Sequence, residues 1–258
     1  PKSKHPILSE FAVRQAISLC VDRDGVQKFI YGRTGIATAN FLNNPQRFVS
    51  KNTKFEFNPD KAAQVLEAAG WKKGSDGIRE KGGKKLKLVF QTSINGPRQK
   101  TQQIIKQAAQ KAGIDMELKA VPASVYFSSD PANPDTYTKL YVDMQMFTTT
   151  MPQPDPEVFM NQYLSTEFAS KANKWLGRNS TRYSNPEYDK AYLAAQSEMD
   201  PAKRAALFVR MNDMPINDIV IIPVVYRPRT SAAVNNLVAP LSGWDNDLWL
   251  LKDWYKTS

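Results

Sequence analysis

Near the middle of the chain a strand, a helix and a second strand follow one another, and this succession constrains the fold more than any other feature. Leu86, Leu88 and Phe90 alternate as in a strand, a helical spacing of apolar residues runs over 105–112, and alternation returns over 114–120. Such a connection is almost always right-handed and pairs its two strands in parallel. The sequence therefore predicts an α/β fold with a parallel sheet.

Further elements are predicted on both sides of this unit. Val13, Ala16, Ile17 and Cys20 share a helical face that Ser9 can cap, and Val26, Phe29 and Ile30 repeat the spacing as far as Gly32. Helices are expected to begin at Asn58-Pro59, Asn185-Pro186 and Asp200-Pro201, where Asn or Asp can cap and Pro fits the first turn. Strands are predicted over 142–146 and 219–226.

The charge of the chain does not indicate a nucleic-acid partner. Its 35 Lys and Arg against 25 Asp and Glu give a formal net charge of +10. The lysines are concentrated between residues 72 and 85, where four glycines interrupt them. This pattern is typical of a solvated hairpin edge. No basic helix is interleaved with aromatic residues, so we expect no nucleic acid to bind.

Most catalytic chemistry is excluded by composition. The single histidine, His5, is expected at a frayed terminus, and the single cysteine, Cys20, cannot form an internal disulfide. Nucleophile elbows, phosphate-binding glycine loops and Cys-x-x-Cys pairs are missing from the sequence. We therefore predict no cofactor, no metal site and no enzyme activity. A hydrolase that uses carboxylates alone stays open as an alternative, because paired carboxylates leave no local signature.

Two loops that leave predicted strands are candidates for a binding site. Ligands of α/β sheets bind outside the carboxyl ends of the strands. Ser93 and Asn95 lie in the first loop, and the second contains Thr148, Thr149, Thr150, Met151 and Gln153. Hydroxyl and amide groups can bind a polar ligand, and prolines in the second loop reduce the entropy lost on ordering.

Six blocks, in order, resemble the dipeptide, oligopeptide and nickel class of periplasmic solute-binding proteins of ABC transporters. They are VRQAIS with VDRD (13–24), NPDKA with AAGW (58–71), DGIR before LKL (76–88), Asp155-Pro156 with Phe159, YSNPEYD (183–189) and PVVY (223–226). Together they cover nearly the whole chain. We interpret residues 13–24 as structural and expect Arg14 and Arg23 to form ion pairs or to cap helix ends.

The resemblance implies a periplasmic-binding-protein-like fold with two lobes and a hinge. Residues 1–226 are expected to form the C-terminal ligand-binding lobe, a mixed sheet with flanking helices, and residues 227–258 a tail that returns to the first lobe. The chain would then be a fragment of a larger receptor, and Trp244, Trp249 and Trp254 would pack partly at a lobe interface. The implied function is capture of a peptide-like or other small polar solute by hinge closure, followed by delivery to an ABC permease in the inner membrane.

The resemblance further implies a periplasmic location, or an extracellular, membrane-anchored one, and a monomer. A free-standing interaction module is the second alternative; its tail would pack on its own domain, and resistance of the tail to limited proteolysis would favour it.

Only part of the ligand-binding chemistry of the resembled family is matched by residues of this chain. Peptide-binding members commonly have an Asp three residues before the position of Asp155, where it pairs with the α-amino group of the peptide; here that residue is Pro152, and the usual Gly-Trp pair is Thr148-Thr149. Either the ligand lacks a free amine, as an opine, a sugar conjugate or a metal chelate would, or Asp155 takes this role. We favour the first, because Asp155 is also well placed to cap a helix. Asn179 and Arg182 are further candidate contacts, and Arg182 could bind a carboxylate or phosphate. A solvated surface role for Arg182 is the alternative.

Overall fold

The computed structural model describes residues 5–242 and 250–257. Its helices are α1 (Phe11–Leu19), α2 (Arg23–Val26), α3 (Pro59–Ala68), α4 (Gly96–Ala112), α5 (Ala123–Tyr126), α6 (Glu157–Met160), α7 (Pro186–Ser197) and α8 (Pro201–Asn217). Its strands are β1 (Ile36–Ala37), β2 (Lys72–Lys73), β3 (Arg79–Lys81), β4 (Lys84–Lys85), β5 (Lys87–Ser93), β6 (Asp115–Val121), β7 (Met144–Met146), β8 (Val225–Tyr226), β9 (Leu237–Val238) and β10 (Tyr255–Lys256). None of the helices in these two ranges combines the length and the apolar character that crossing a membrane requires.

The main sheet has three strands in the order β6-β5-β7, and both pairings are parallel. Phe90 of β5 lies opposite Leu118 on one side and Met144 on the other. This confirms the strand-helix-strand unit and the predicted strand around Met144. Because all three strands run in the same direction, their carboxyl ends lie along one edge of the sheet.

Helix α4 covers one face of this sheet and connects β5 to β6. Asn95 caps it by accepting a hydrogen bond from the Arg98 amide, and Gly113 ends it in the left-handed region at φ +86°. The buried side chains of α4 pack with those of β5 and β6 in the first core, which includes Leu88, Phe90, Ile105, Ala109 and Met116. The core therefore fixes the positions at which the strands end.

A second core joins α6, α7 and α8 to the loop that precedes α3. Tyr163, Tyr183 and Tyr188 contact one another edge to face, with ring centroids 6.1–6.4 Å apart. The Tyr188 hydroxyl donates to the Met160 carbonyl at 2.5 Å. Phe48 packs against Phe208 at 5.5 Å. This aromatic core holds the chain that follows β7.

The antiparallel strands lie in separate small sheets. The predicted lysine-rich hairpin edge is confirmed as the sheet β2-β3-β4, and β8 pairs with β1. In the tail β10 pairs with β9, and the Trp254 indole donates to the Pro240 carbonyl at 3.1 Å. The other tail tryptophans named above, Trp244 and Trp249, lie outside the described residues.

Two local predictions near the chain start are wrong, and a third holds only in part. Glu10, not Ser9, precedes α1, and no side chain caps that helix. The helix predicted after Asp22 is present as α2 and a π-helical turn (Gln27–Tyr31) and ends at Gly32, but the Phe29 side chain is 74% exposed instead of lying on a buried face. His5 is not frayed: its Nδ1 accepts from the Leu8 amide, and its Nε2 lies 2.8 Å from Oδ1 of Asp143.

The predicted strand over 219–226 is also largely wrong, since only Val225 and Tyr226 pair as a strand. The Val220 amide instead donates to the carbonyl of Pro215, and Ile219 adopts a left-handed φ of +49°. The first residues of the apolar run bond the last turn of α8 instead of a strand. Pro223 has no amide hydrogen and cannot donate a hydrogen bond to a neighbouring strand.

Candidate functional site

Three chain segments meet at the carboxyl edge of the parallel sheet. Two hydrogen bonds tie them together: the Thr92 hydroxyl donates to the Met146 carbonyl at 2.6 Å, and the Ile94 amide donates to the Val121 carbonyl at 2.7 Å. The ends of β5, β6 and β7 are thereby held at fixed spacing. We call this region the strand-exit edge, comprising residues 93–98, 122–127 and 147–153.

Arg98 is the cation of the strand-exit edge. Its Nη1 donates to the buried Ser93 hydroxyl at 2.6 Å, and its Cζ lies 5.7 Å from the centre of the Phe127 ring. Within the described ranges no carboxylate lies at ion-pair distance from Arg98. The edge therefore presents a guanidinium whose charge is not neutralised by a neighbouring acid.

An aromatic wall stands beside this cation. Tyr126, Phe127, Tyr137 and Phe147 contact one another with ring centroids 4.9–6.4 Å apart. Burial raises the pKa of the Tyr126 hydroxyl, so this group stays neutral. The Ile94 side chain is 56% exposed and that of Phe127 is 43% exposed. The edge thus offers apolar surface next to a positive charge.

The loop that leaves β7 supplies free polar groups. Thr148, Thr149, Thr150 and Gln153 are exposed, whereas Met151 is half-buried and packs against the second core. Among the residues that the structure describes, none forms a hydrogen bond with the side chains of Thr148, Thr149, Thr150 or Gln153. These side chains are free to bind a solute.

Asp155 anchors the far end of this loop. Its carboxylate forms a bidentate pair with Arg204, with Oδ1 at 3.1 Å from Nη2, and Oδ1 also accepts from the Glu157 amide at 2.9 Å. The hydrogen bond from Arg204 is the main cause that lowers the pKa of Asp155. Asp155 therefore bonds the first residue of α6, but it lies one position before the cap residue Pro156, so the predicted cap is shifted by one residue. These bonds leave little of the carboxylate for a ligand amine.

Asn179 and Arg182 serve the internal structure of their own loop. Asn179 is fully buried; its Nδ2 donates to the carbonyls of Leu164 and Tyr183, both at 2.9 Å. Arg182 donates to the carbonyls of Ser180 and Lys139, both at 2.9 Å, and its burial lowers its pKa. No hydrogen bond among the described residues joins either side chain to the strand-exit edge.

Sequence reasoning did not identify Ile94, Arg98 and Phe127 as parts of the edge. Arg98 lies in the first turn of α4, three residues after the cap Asn95, and this position could have indicated it. Phe127 follows β6, and the parallel topology places the end of β6 at the same edge, so the order of elements could have indicated it. No group of three or more His, Cys, Asp or Glu side chains in the described ranges is arranged to hold a metal ion.

The described residues form an α/β fold in which three loops meet at the strand-exit edge. Comparison with known proteins identifies the class: the family described as bacterial extracellular solute-binding proteins, family 5 Middle, matches residues 1–171. The chain belongs to this family, whose members are solute-binding proteins of transport systems. The family resemblance and the α/β lobe predicted from the sequence are confirmed.

Individual relatives show the same fold. The oligopeptide-binding protein AppA of Bacillus subtilis is 28% identical over 206 residues, which is 76% of this chain and 35% of that protein. The crystal structure of an oligopeptide-binding protein from Thermus thermophilus, complexed with a pentapeptide, is 24% identical, has a TM-score of 0.75 and is matched over 85% of this chain and 38% of its own.

NikZ of Campylobacter jejuni, in complex with Ni(L-His), is 22% identical and has a TM-score of 0.77 over 98% of this chain and 50% of its own. The chain therefore spans between about a third and a half of the proteins that it resembles.

Proposed function

We propose that this chain is the C-terminal ligand-binding lobe, over residues 1–226, of an extracytoplasmic solute receptor. The receptor closes about a hinge on a small polar solute and delivers it to an ABC permease in the membrane. It binds without catalysing a reaction, as a monomer, in the periplasm or anchored outside the cell. Membership of the family supports the class of function, and the unpaired threonines at the strand-exit edge support the place where the solute binds.

The proposed contacts are those that the lobe leaves available. Asn95, Thr148, Thr149, Thr150, Met151 and Gln153 remain in the set, and Ile94, Arg98 and Phe127 join it. Ser93 is left out because it is 1% exposed and its hydroxyl accepts a hydrogen bond from Arg98. Asn179 is left out because both ends of its amide are bonded within its own loop. Arg182 is left out because main-chain carbonyls occupy its guanidinium.

The proposed solute has no free α-amino group. Residues 148–153 contain no acidic side chain, and Pro152 occupies the position where the resembled peptide binders have Asp. Asp155, which follows the loop, is paired with Arg204 and bonded to the Glu157 amide. Arg98 instead favours a solute with an anionic group. A carboxylate-bearing opine, sugar conjugate or metal chelate meets both conditions.

The single most informative experiment concerns the intact protein that carries this chain. It is purified from its cells without denaturation, and mass spectrometry identifies the small molecule that it carries. A solute that has a carboxylate and no primary α-amine supports the proposal. A bound peptide with a free amino terminus would contradict the proposed ligand class, and conversion of the solute into a product would contradict a purely binding role.

The loop assignment is tested by replacing Thr149 and Thr150 together with Val in the intact protein. Loss of two hydrogen bonds, each worth about 0.5–1.5 kcal/mol, should weaken solute binding about tenfold or more without lowering the melting temperature. Thr230→Val, at an exposed position in the tail, is the matched control. Titration calorimetry with the identified solute measures both variants, and unchanged affinity in the double variant would overturn the assignment.

A further inference from the structure

A cavity lies between the end of α8 and the segment that leads into β8, and none of its lining residues belongs to the strand-exit edge. It has a volume of about 180 Å³. Ile216, Ile219 and Ile221 supply apolar walls. Ser18, Arg23, Lys54 and Asn217 supply its charged and polar side chains. One water occupies about 30 Å³ in the liquid, so the cavity has room for a small polyatomic ion.

Arg23 is the buried charge of this cavity, at 3% exposure. Its Nε donates to the Pro223 carbonyl at 2.6 Å, and its Cζ lies 4.9 Å from the centre of the Phe55 ring. Among the described residues its Nη2 has no hydrogen-bond acceptor, and no carboxylate lies within ion-pair distance. Burial lowers its pKa to about 10, so it stays charged at neutral pH. A buried cation without a counter-ion is costly, and an anion would remove that cost.

The other three polar side chains are also unpartnered. Over residues 5–242 and 250–257, no hydrogen bond or ion pair involves the Ser18 hydroxyl, the Lys54 ammonium or the side-chain amide of Asn217. The cavity is thus lined by two cations and two neutral polar groups, with no acid among them.

The acids next to Arg23 and Asn217 in the sequence form no ion pair with the cations of this cavity. Asp22 accepts from the Gly25 amide, and Asp218 accepts from the Tyr183 hydroxyl. Asp24 is exposed and acts on Arg23 only at longer range.

Backbone strain marks the same place. Ile219, in the cavity wall, has a φ of +49°, which is a genuine outlier for a β-branched residue. Such conformations cost free energy and cluster at ligand clamps and other functional sites. Hydrogen bonds from the Ile219 amide to the Ile216 carbonyl and from the Val220 amide to the Pro215 carbonyl hold the strained residue in this wall.

We propose that this cavity binds a small oxyanion, namely phosphate, sulfate or a carboxylate group. Nη2 of Arg23 and the ammonium of Lys54 supply the charge, and Ser18 and Asn217 supply further donors. The proposal does not depend on the function proposed above, because none of the lining residues belongs to the strand-exit edge. The bound anion would join α1, α2 and the end of α8 to the segment that enters β8.

Isothermal titration with sodium phosphate, sulfate or acetate, at ionic strength held constant with sodium chloride, tests the proposal on the whole chain. Lys54→Gln is expected to weaken oxyanion binding about tenfold, and Ser18→Ala to weaken it severalfold. Lys51→Gln, three residues away and not in the cavity, is the control and should leave the affinity within twofold. Arg23→Lys retains the charge but removes the planar guanidinium, so it should weaken oxyanion binding more than the Lys54 and Ser18 substitutions do. Circular dichroism checks that this variant is folded.

Saturable binding that Lys54→Gln weakens and Lys51→Gln does not would support the site. Binding of all three anions would point to a general oxyanion site, whereas acetate alone would point to a carboxylate group of a larger molecule. Absence of saturable binding, or an equal loss in the two lysine variants, would overturn the proposal, since the second result reports only attraction to the net positive charge of the chain.

Discussion

Asp155 is the residue that fixes where the loop after β7 ends. Replacing it with Asn retains an acceptor for the Glu157 amide but removes the charge that pairs with Arg204. Because the Asp155 side chain is 40% exposed, solvent screening limits the expected loss in the free energy of unfolding to about 1 kcal/mol. Urea denaturation at neutral pH measures the change, and Arg210→Gln, which breaks the exposed pair with Glu187, is the control with an expected change below about 0.5 kcal/mol.

The same substitution should show a defined pH dependence. The pKa of Asp155 is lowered in the folded state, so the pair stabilises fully above the ordinary aspartate pKa of about 4. The difference in unfolding free energy between the unsubstituted chain and the Asp155→Asn variant should shrink as the pH falls through the lowered value. A difference that stays constant from neutral pH to pH about 2 would show that the charge on Asp155 contributes nothing.

At the scale of elements, the end of α4 depends on Gly113. This residue has a φ of +86°, and a Cβ built on it would lie 2.8 Å from Cγ of Arg79. Arg79 cannot easily move, because it is buried and donates to the carbonyls of Ala112 and Trp71. Gly113→Ala should therefore lower the free energy of unfolding by about 2–5 kcal/mol, the sum of left-handed strain and overpacking.

Gly82→Ala is the matched control for this prediction. Gly82 also has a positive φ, +56°, but no atom lies within 4 Å of its added Cβ. Only the backbone strain of about 1–2 kcal/mol remains. Urea denaturation, monitored by circular dichroism, compares the two variants. Equal losses in the free energy of unfolding would mean that the contact with Arg79 is relieved without cost.

Elements whose signals are local could be predicted from the sequence. The caps of α3, α7 and α8 are Asn58, Asn185 and Asp200, and each accepts a hydrogen bond from an amide two or three residues away. The run 219–226 failed as a strand because its first amides bond Pro215 at the end of α8. Apolar composition alone does not show whether such a run pairs as a strand or bonds the end of a helix.

For the candidate site, the sequence could predict which loops meet but not which side chains contact one another. Parallel topology placed the loops after β5 and β7 at one edge, and this was available from the order of elements. The contact of Arg98 with Ser93 depends on a side-chain rotamer, and the burial of Asn179 depends on Leu164 and Tyr183 folding around it. Neither arrangement has a sequence periodicity that could indicate it.

At the scale of the whole molecule, the proposed division into a lobe and a tail predicts a pattern of proteolysis. Residues 229–236 are exposed and have no helix or strand before β9. Elastase, which cuts after small residues, should cleave first near Ala232 and Ala233 and leave a stable fragment that contains β1 and β8. Mass spectrometry of the time course identifies the fragment. Early cleavage within the first core, or a tail that resists digestion, would contradict the division and favour an independent module.

The pairing of β1 with β8 joins residues 36–37 to residues 225–226. The strand β5, by contrast, finds β6 through a single intervening helix. Closing a long loop costs more chain entropy than closing a short one, and non-local contacts form slowly. During synthesis the strand-helix-strand unit can assemble while the chain is still being made. The β1-β8 ladder must wait until Tyr226 has left the ribosome, so the backbone groups of Ile36 and Ala37 have no ladder partner until then.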